Sequence, residues 1–437
     1  MWIVFLLVII LFILMNKIFA LRLNSKGISP INIFFYVNVF IFSFFGVFFI
    51  YYFKDSIAQL PGNGIVSRLS LDNITLITSF YLYSLVVLLL LIPWCAQPYA
   101  KVDLYGRIKS GVVYSEYSCL PLVSIQILMA LISFLYIGVE NLPLYVAFND
   151  GFIQASIVKA SLMKGELDYN IPFFHNLFKI YIITLPLVLT SARAYNRKSV
   201  TYTVCVISCL VTMIYLIADL QKAPAVLFAI AIFFVRLHIL GSSWRSFVII
   251  SILVLLSMLL YLLPYIVGDN MDLFSGVLAF INRAFVAQVT GMYFIVALIK
   301  PDINYILYNF PFAGRFFDLP PKADAIVMTE LFGYKESNVN MNSYFLGEAY
   351  SSMGIWGLLI SPFVVLFTLA ISFLFYSWLT QKNAFIGFSL CLVGILFYMP
   401  INQSFNSFLW MKDFLLLFVY SLMVYFILST FSRVKMK

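Results

Sequence analysis

Long runs of apolar residues, separated by short polar segments, dominate the chain. Eleven of these runs approach the length of about 20 residues that a helix needs to cross a lipid bilayer. They lie at about residues 2–20, 31–53, 74–94, 119–139, 173–191, 200–218, 223–240, 247–267, 354–378, 384–401 and 411–430. The pattern therefore predicts an all-α polytopic membrane protein with about eleven transmembrane helices.

A twelfth apolar stretch, Gly276–Ile299, differs because it carries Asn282, Arg283, Gln288 and Thr290. Lysines and arginines mark the inner side of a membrane protein. In this chain they gather consistently on one side only if the twelfth stretch does not cross. We therefore predict a helix that dips into the membrane, an outer N-terminus and an inner C-terminus.

This topology places two long loops on the outer side, at about residues 140–174 and 268–353, within a single integral membrane domain that spans 1–437. The second loop belongs to a polar stretch from Gly268 to Gly357 with many aromatic residues, glycines and prolines. Loops of this length are usually functional or disordered, and this composition favours function. The inner loops are short and basic, so any chemistry is expected on the outer face.

Composition supports the membrane prediction and excludes several other classes. Hydrophobic residues make up 63% of the chain and charged residues 10%, against about 45–50% and 25% in soluble domains. The net charge of +9 sits mainly in the inner loops, so we expect no nucleic-acid partner. The five cysteines lie in or beside predicted spans, so no disulfide framework or metal site is predicted. No ionisable residue lies near the middle of the eleven spans, which argues against an ion-driven transporter.

Three cationic side chains are candidates for binding an anionic group on the outer side. Lys222 begins a predicted span, Arg283 is one of the few charges in an apolar helix, and Arg315 lies in the second long loop. The guanidinium group suits diphosphate because its planar fork binds two oxygens at once. Structural alternatives stay open: an interface anchor for Lys222, an ion pair for Arg283 and a solvated loop residue for Arg315.

Glu348 is the one carboxylate between Asn342 and Gly357. It could act as a general base for a sugar hydroxyl, or it could be an acid that the dipole of a helix N-terminus stabilises. Asn340, Asn342 and Tyr344 would suit recognition of sugar hydroxyls, although asparagine clusters also form ordinary turns.

The order of these features resembles the Wzy-type O-antigen polymerases, also called oligosaccharide repeat-unit polymerases. The resemblance rests on the stretch Asp219–Phe234, the Arg283 helix, the Arg315 loop and one glycine-containing motif. That motif reads Gly347-Glu348-Ala349-Tyr350, then Gly354 and Gly357. It is the most specific part of a resemblance that otherwise covers the chain through topology.

The resemblance implies a class C glycosyltransferase-like membrane fold with two long periplasmic loops, related to the O-antigen ligases. It implies glycosyl transfer between repeat units carried on undecaprenyl diphosphate, at the periplasmic face of a bacterial inner membrane. In that family, functional basic residues match Lys222 and Arg283, with Arg315 a looser match. The N-terminus would be periplasmic and the C-terminus cytoplasmic, and a chain-length regulator protein is a possible partner.

The chain departs from the related ligases at one position. Those ligases often carry a histidine in the loop before the final glycines, where this chain has Asn342-Ser343-Tyr344. The resemblance therefore does not identify the general base, and Glu348 is the remaining candidate. The expected catalytic residues are Arg283, Lys222 and Glu348, and the expected substrate-binding residues are Arg315, Asn340, Asn342, Tyr344 and Tyr350.

The expected enzyme is a metal-independent, inverting glycosyltransferase without a cofactor. The main alternative is a flippase or other exporter of lipid-linked oligosaccharide, which would need a basic cavity that reaches both faces. A ligase and a purely structural membrane scaffold rank below it: the first lacks the histidine, and the second needs no buried arginine.

Overall fold

A computed structural model describes residues 1–18, 33–58, 64–95, 116–151, 154–155, 157–159, 161, 174–195, 200–220, 222–240, 281–282, 285–308, 310, 313–332, 342–399 and 404–432. Throughout these ranges the regular elements are helices, and no β-strand occurs among them. The fold is therefore all-α, as the apolar pattern predicts.

The α-helices in chain order are α1 (Trp2–Ile18), α2 (Phe45–Ala58), α3 (Leu71–Cys95), α4 (Glu116–Ile137), α5 (Pro143–Asn149), α6 (Phe174–Tyr195), α7 (Tyr202–Ile217), α8 (Lys222–Leu240), α9 (Thr290–Leu298), α10 (Ala313–Phe316), α11 (Ala323–Phe332), α12 (Tyr344–Met353), α13 (Ile355–Lys382), α14 (Ala384–Val393), α15 (Phe405–Trp410) and α16 (Lys412–Ser432). Short 3₁₀ turns cover Gly64–Arg68, Val139–Asn141, Val286–Gln288 and Ile303–Leu307. Two segments, Phe35–Phe44 and Gly394–Tyr398, are π-helical.

Five helices among the described residues are long and apolar enough to cross a membrane. They comprise Leu71–Ile92, Cys119–Ile137, Phe174–Tyr195, Ile355–Lys382 and Lys412–Thr430. Shorter helices occupy the described parts of the other predicted spans, except residues 247–267, which lie outside the described residues. The protein is thus an α-helical membrane protein, and the number of eleven crossings stays a prediction.

Helix α6 is the most enclosed of these five candidate spans, with 72% of its apolar window buried. It packs against α4, α7, α8, α14 and α16, while α13 packs against α3, α12 and α14. These two helices therefore organise the bundle.

A proline explains a polar network in the interior of this bundle. Pro186 lies inside α6 and has no N–H to donate to the carbonyl of Ile182, four residues earlier. Gln126 Nε2 donates to that carbonyl at 3.0 Å, and Thr212 Oγ1 donates at 2.7 Å. Ser208 Oγ completes the network by donating to Gln126 Oε1 at 2.8 Å. Side chains from α4 and α7 therefore replace the hydrogen bond that the proline removes, as the apolar surroundings require.

Replacing Gln126 with leucine is expected to lower the free energy of unfolding by about 1–2 kcal/mol, because it leaves buried polar groups of α6 and α7 short of partners. Thermal unfolding of the purified protein in detergent measures this change. Asn149→Ala is the matched control, since Asn149 is exposed and bonds only locally, to the carbonyl of Tyr145 at 3.1 Å. Equal melting temperatures for Gln126→Leu and wild type would contradict the assignment.

The polar stretch that the sequence marks as loop-like folds largely into short helices where it is described. Between Gly268 and Met353 it contains α9, α10, α11, α12 and two 3₁₀ turns. Helix α9 has nine residues, fewer than the about 20 that a span needs. A 3₁₀ turn, Val286–Gln288, precedes it. The described part of Gly276–Ile299 is thus a broken helix, and its depth in the membrane stays a prediction.

Candidate functional site

Helix α12 carries Glu348 and lies where several elements meet. It packs against α9, α13, α15 and the 3₁₀ turn Ile303–Leu307. Gly347 faces α9, where an added Cβ would lie 3.2 Å from the Met292 Cα. Gly354 separates α12 from α13 with φ +60°, a conformation that glycine adopts without strain. Gly357 lies so close to α12 that a Cβ would collide with the backbone carbonyl of Ala349. The glycines of the sequence motif therefore bring two helices together and allow the turn between them.

Two groups from the start of α15 bind the carboxylate of Glu348. Ser404 Oγ donates to Glu348 Oε2 at 2.6 Å, and the backbone N–H of Asn406 donates to the same oxygen at 3.3 Å. The Ser404 hydroxyl also accepts from the backbone N–H of Ser407 at 3.4 Å, which caps the helix. One hydroxyl thus fixes both the beginning of α15 and the orientation of the Glu348 carboxylate.

Burial raises the pKa of the Glu348 carboxyl above its ordinary value of 4.5, because it disfavours the charged form. The hydrogen bonds from Ser404 and Asn406 act in the opposite direction but do not cancel this effect. Asp324 raises the pKa further, and Lys322 lowers it. A carboxylate whose pKa lies closer to neutrality is a better general base or acid than an exposed glutamate.

Asn406 links the glutamate to the aromatic residues beside it. Its Nδ2 donates to the carbonyl of Tyr305 at 2.8 Å. Its Oδ1 is buried and has no hydrogen-bond partner among the described residues, although the residue is only 3% exposed. Buried polar atoms are almost always bonded, so an unpartnered oxygen beside Glu348 is unusual.

Aromatic rings border the same junction. Tyr305 and Tyr308 stack with centroids 6.3 Å apart, and Phe310 packs edge-on against Trp410 at 4.7 Å. Trp410 Nε1 donates to the carbonyl of Ile306 at 2.6 Å, which ties α15 to the 3₁₀ turn. Carboxylate, amide and aromatic faces together can bind the hydroxyl groups and apolar faces of a sugar.

The residues next to Glu348 on α12 have different environments. Asn342 Nδ2 donates to Gln288 Oε1 at 2.6 Å, and Tyr350 is partly buried. Tyr344 begins α12 with φ +47°, which is strained for a residue other than glycine. Its ring is fully buried and packs against Tyr81 with centroids 5.4 Å apart. In this structure Tyr344 therefore holds the beginning of α12 in place, away from any surface that a sugar could reach.

Four further residues were predicted to belong to the site: Arg315, Lys222, Arg283 and Asn340. Arg315 lies exposed in the short helix α10. Lys222 is the first residue of α8, but its side chain lies outside the described part of the structure. Arg283 and Asn340 also lie outside the described residues. Their proximity to Glu348 stays a prediction.

Sequence reasoning missed the two residues that bind Glu348 directly. Ser404 and Asn406 lie 56 and 58 positions away along the chain. The only sequence signal was the polar run Asn402-Gln403-Ser404 within an outer connection between two predicted spans. That run could have been grouped with Glu348, because both lie on the predicted outer side.

Comparisons with known proteins provide no independent identification. No protein-family model, curated protein or solved structure matches this chain. The resemblance to the repeat-unit polymerases therefore remains a prediction, and the function has to be argued from the chemistry around Glu348.

Proposed function

We propose that the protein is a membrane glycosyltransferase that polymerises oligosaccharide repeat units carried on undecaprenyl diphosphate, at the periplasmic face of a bacterial inner membrane. The observation that carries the proposal is Glu348, a carboxyl group with a raised pKa that Ser404 and Asn406 hold beside an unpartnered amide oxygen. Glycosyl transfer to a hydroxyl requires a positioned general base, and Glu348 is proposed for that role.

In the proposed reaction Glu348 accepts the proton of an acceptor sugar hydroxyl. The hydroxyl oxygen then forms a bond to the anomeric carbon of the donor glycan, and the bond between that carbon and the diphosphate oxygen breaks. The diphosphate leaves with the electron pair on its lipid carrier, so the anomeric configuration inverts. The proton stays on Glu348 until solvent removes it, and the next cycle begins with the carboxylate.

Charge develops on the departing diphosphate, and positive side chains can stabilise it without a metal. Arg283 and Lys222 are proposed for this role, with Arg315 as a further binding residue. Asn406 is proposed to position Glu348, since its backbone N–H donates to the carboxylate.

The direct test is reconstitution of the purified protein in liposomes with lipid-linked repeat units. The proposal predicts a ladder of products that each grow by one repeat unit, together with release of undecaprenyl diphosphate. Movement of the lipid-linked oligosaccharide across the bilayer without any new glycosidic bond would instead support an exporter.

Arg283→Ala is expected to leave the protein inserted in the membrane but to yield surface glycan of a single repeat unit. The physical reason is that the leaving group loses a cation whose effect is greatest in the transition state. Gel electrophoresis of the surface glycan measures the chain length, and Arg236→Ala is the control because Arg236 lies exposed in α8 on the predicted inner side. Glycan of wild-type length from Arg283→Ala would show that Arg283 has no part in the mechanism.

A further inference from the structure

A cavity of about 170 Å³ opens at the surface where three elements meet: the 3₁₀ turn Gly64–Arg68, α9 and α11. Its lining residues are Arg68, Leu69, Phe294, Ala297, Leu298, Glu330 and Leu331. None of them contributes a bond to Glu348 or Asn406 among the contacts of the described residues. A water molecule needs only about 10–15 Å³ of such space, so this cavity has room for a small organic group.

The cavity combines an apolar floor with two opposite charges. Leucine, alanine and phenylalanine side chains form the floor, while Arg68 and Glu330 are exposed at the rim. Within the described part of the chain, no ion pair joins Arg68 to Glu330. The two charges therefore stand apart across a space that a ligand with complementary charges could bridge.

A third charged group bonds to the residue that follows Arg68 in the chain. The ammonium group of Lys54 donates a hydrogen bond to the carbonyl of Leu69, which is one of the lining residues. Lys54 and Arg68 together make this end of the cavity positive, whereas Glu330 makes the α11 end negative. An anion is therefore expected at one end and a cation at the other.

We propose that this cavity binds the headgroup of a phospholipid that carries both a phosphate and a primary ammonium group. Arg68 binds the phosphate, because its planar fork matches two phosphate oxygens. Glu330 accepts hydrogen bonds from the ammonium group, and the apolar floor receives the glycerol and the first acyl carbons. The predicted topology supports this occupant, since it places the turn Gly64–Arg68 and α11 on the outer side and α9 in the helix that is expected to dip into the membrane.

The test compares lipids that differ only in headgroup, using the full-length protein in detergent and native mass spectrometry. Phosphatidylethanolamine offers phosphate and a primary ammonium, phosphatidylglycerol offers phosphate and neutral hydroxyl groups, and phosphatidylcholine offers phosphate and a cation with no N–H to donate. Wild type is expected to bind phosphatidylethanolamine about tenfold more tightly than the other two, the effect of one charge-assisted hydrogen bond.

Two variants separate the two ends of the cavity. Arg68→Gln should weaken binding of all three lipids about tenfold, whereas Glu330→Gln should reduce phosphatidylethanolamine to the level of phosphatidylglycerol. Arg236→Gln and Asp318→Asn are the matched controls, because both residues are exposed outside the cavity. They should leave binding unchanged.

Several outcomes would overturn the proposal. Equal affinity of wild type for the three headgroups would show that the ammonium group does not contribute to binding. Unchanged binding of phosphatidylethanolamine to Glu330→Gln would show that the proposed site is wrong. This result would hold even if Arg68→Gln failed to fold. Loss of undecaprenyl diphosphate binding in Arg68→Gln, with phosphatidylethanolamine binding intact, would assign the cavity to the lipid carrier instead.

Discussion

Glu348→Gln is expected to abolish polymerisation while the protein stays folded. Glutamine keeps the size of the side chain and an oxygen that can accept from Ser404 and Asn406, but it cannot remove a proton at neutral pH. Loss of a general base typically lowers the rate by a factor of about 10² to 10⁴. Quantification of the product ladder from reconstituted liposomes measures the effect.

The raised pKa of Glu348 also determines how the variant affects stability. A carboxyl whose pKa is higher in the folded than in the unfolded state favours folding when protonated, and this advantage is lost as pH rises through the folded-state pKa. Ionisation of the buried Glu348 therefore costs stability, whereas the side chain of Glu348→Gln does not ionise. The variant should melt at the wild-type temperature or above it at pH 7, so loss of activity would not reflect unfolding.

The same pKa shift fixes the direction of the pH dependence. A general base must be deprotonated, so the wild-type rate should fall as pH decreases through the pKa of Glu348. Because burial raises this pKa, the acid limb should lie above pH 4.5, the ordinary value for glutamate. Glu140→Gln, at an exposed glutamate, is the control and should preserve both rate and pH profile. A wild-type rate in Glu348→Gln would show that another group removes the proton.

Gly357→Ala is expected to destabilise the protein by about 3 kcal/mol or more, which approaches the upper range for overpacked positions. The new methyl group would collide with the backbone carbonyl of Ala349 in the neighbouring helix. A backbone atom cannot rotate away as a side chain can, so α12 and α13 would have to separate. Since Glu348 lies one residue before Ala349, its contacts with Ser404 and Asn406 would also change.

Thermal unfolding in detergent measures this effect against a matched glycine. No heavy atom lies within 4 Å of a Cβ added at Gly314, so Gly314→Ala should change the free energy of unfolding by no more than about 0.5 kcal/mol. Equal stability of the two variants would contradict the close packing of α12 on α13.

The apolar pattern predicts the long helices well because hydrophobic length alone determines them. The predicted spans 354–378 and 411–430 correspond to the helices Ile355–Lys382 and Lys412–Ser432. The apolar pattern cannot predict the change from α-helix to π-helix at Gly394. There Asn38, from the other π-helical segment, donates to the carbonyl of Ile395 at 3.3 Å, 357 positions away. Such local geometry depends on contacts that no window of sequence contains.

In the polar stretch from Gly268 to Gly357, the sequence again fails to predict the local structure. Its prolines and asparagines indicate loop, yet it forms short helices where tertiary bonds hold them. The backbone N–H of Asp302, for example, donates to the carbonyl of Ser351 at 2.8 Å, which ties the 3₁₀ turn Ile303–Leu307 to α12. Propensity is a weak guide where neighbouring elements supply the hydrogen bonds.

The sequence singles out Glu348 but does not predict its surroundings, and its catalytic role stays a prediction. Glu348 stands out as a single carboxylate in a polar motif, and the structure surrounds it with donors. Tyr344 was predicted, together with Asn340 and Asn342, to suit recognition of sugar hydroxyls, whereas the structure buries its ring. Burial of one aromatic residue depends on the packing of distant helices, which composition and spacing do not reveal.

Deletion of the gene in its native host, followed by sizing of the surface polysaccharide, tests the central claim most directly. If the protein is a repeat-unit polymerase, the ladder of chain lengths collapses to a single repeat unit, and wild type but not Glu348→Gln restores it. Complete loss of surface glycan, including the single repeat unit, would contradict a polymerase and indicate a flippase or ligase.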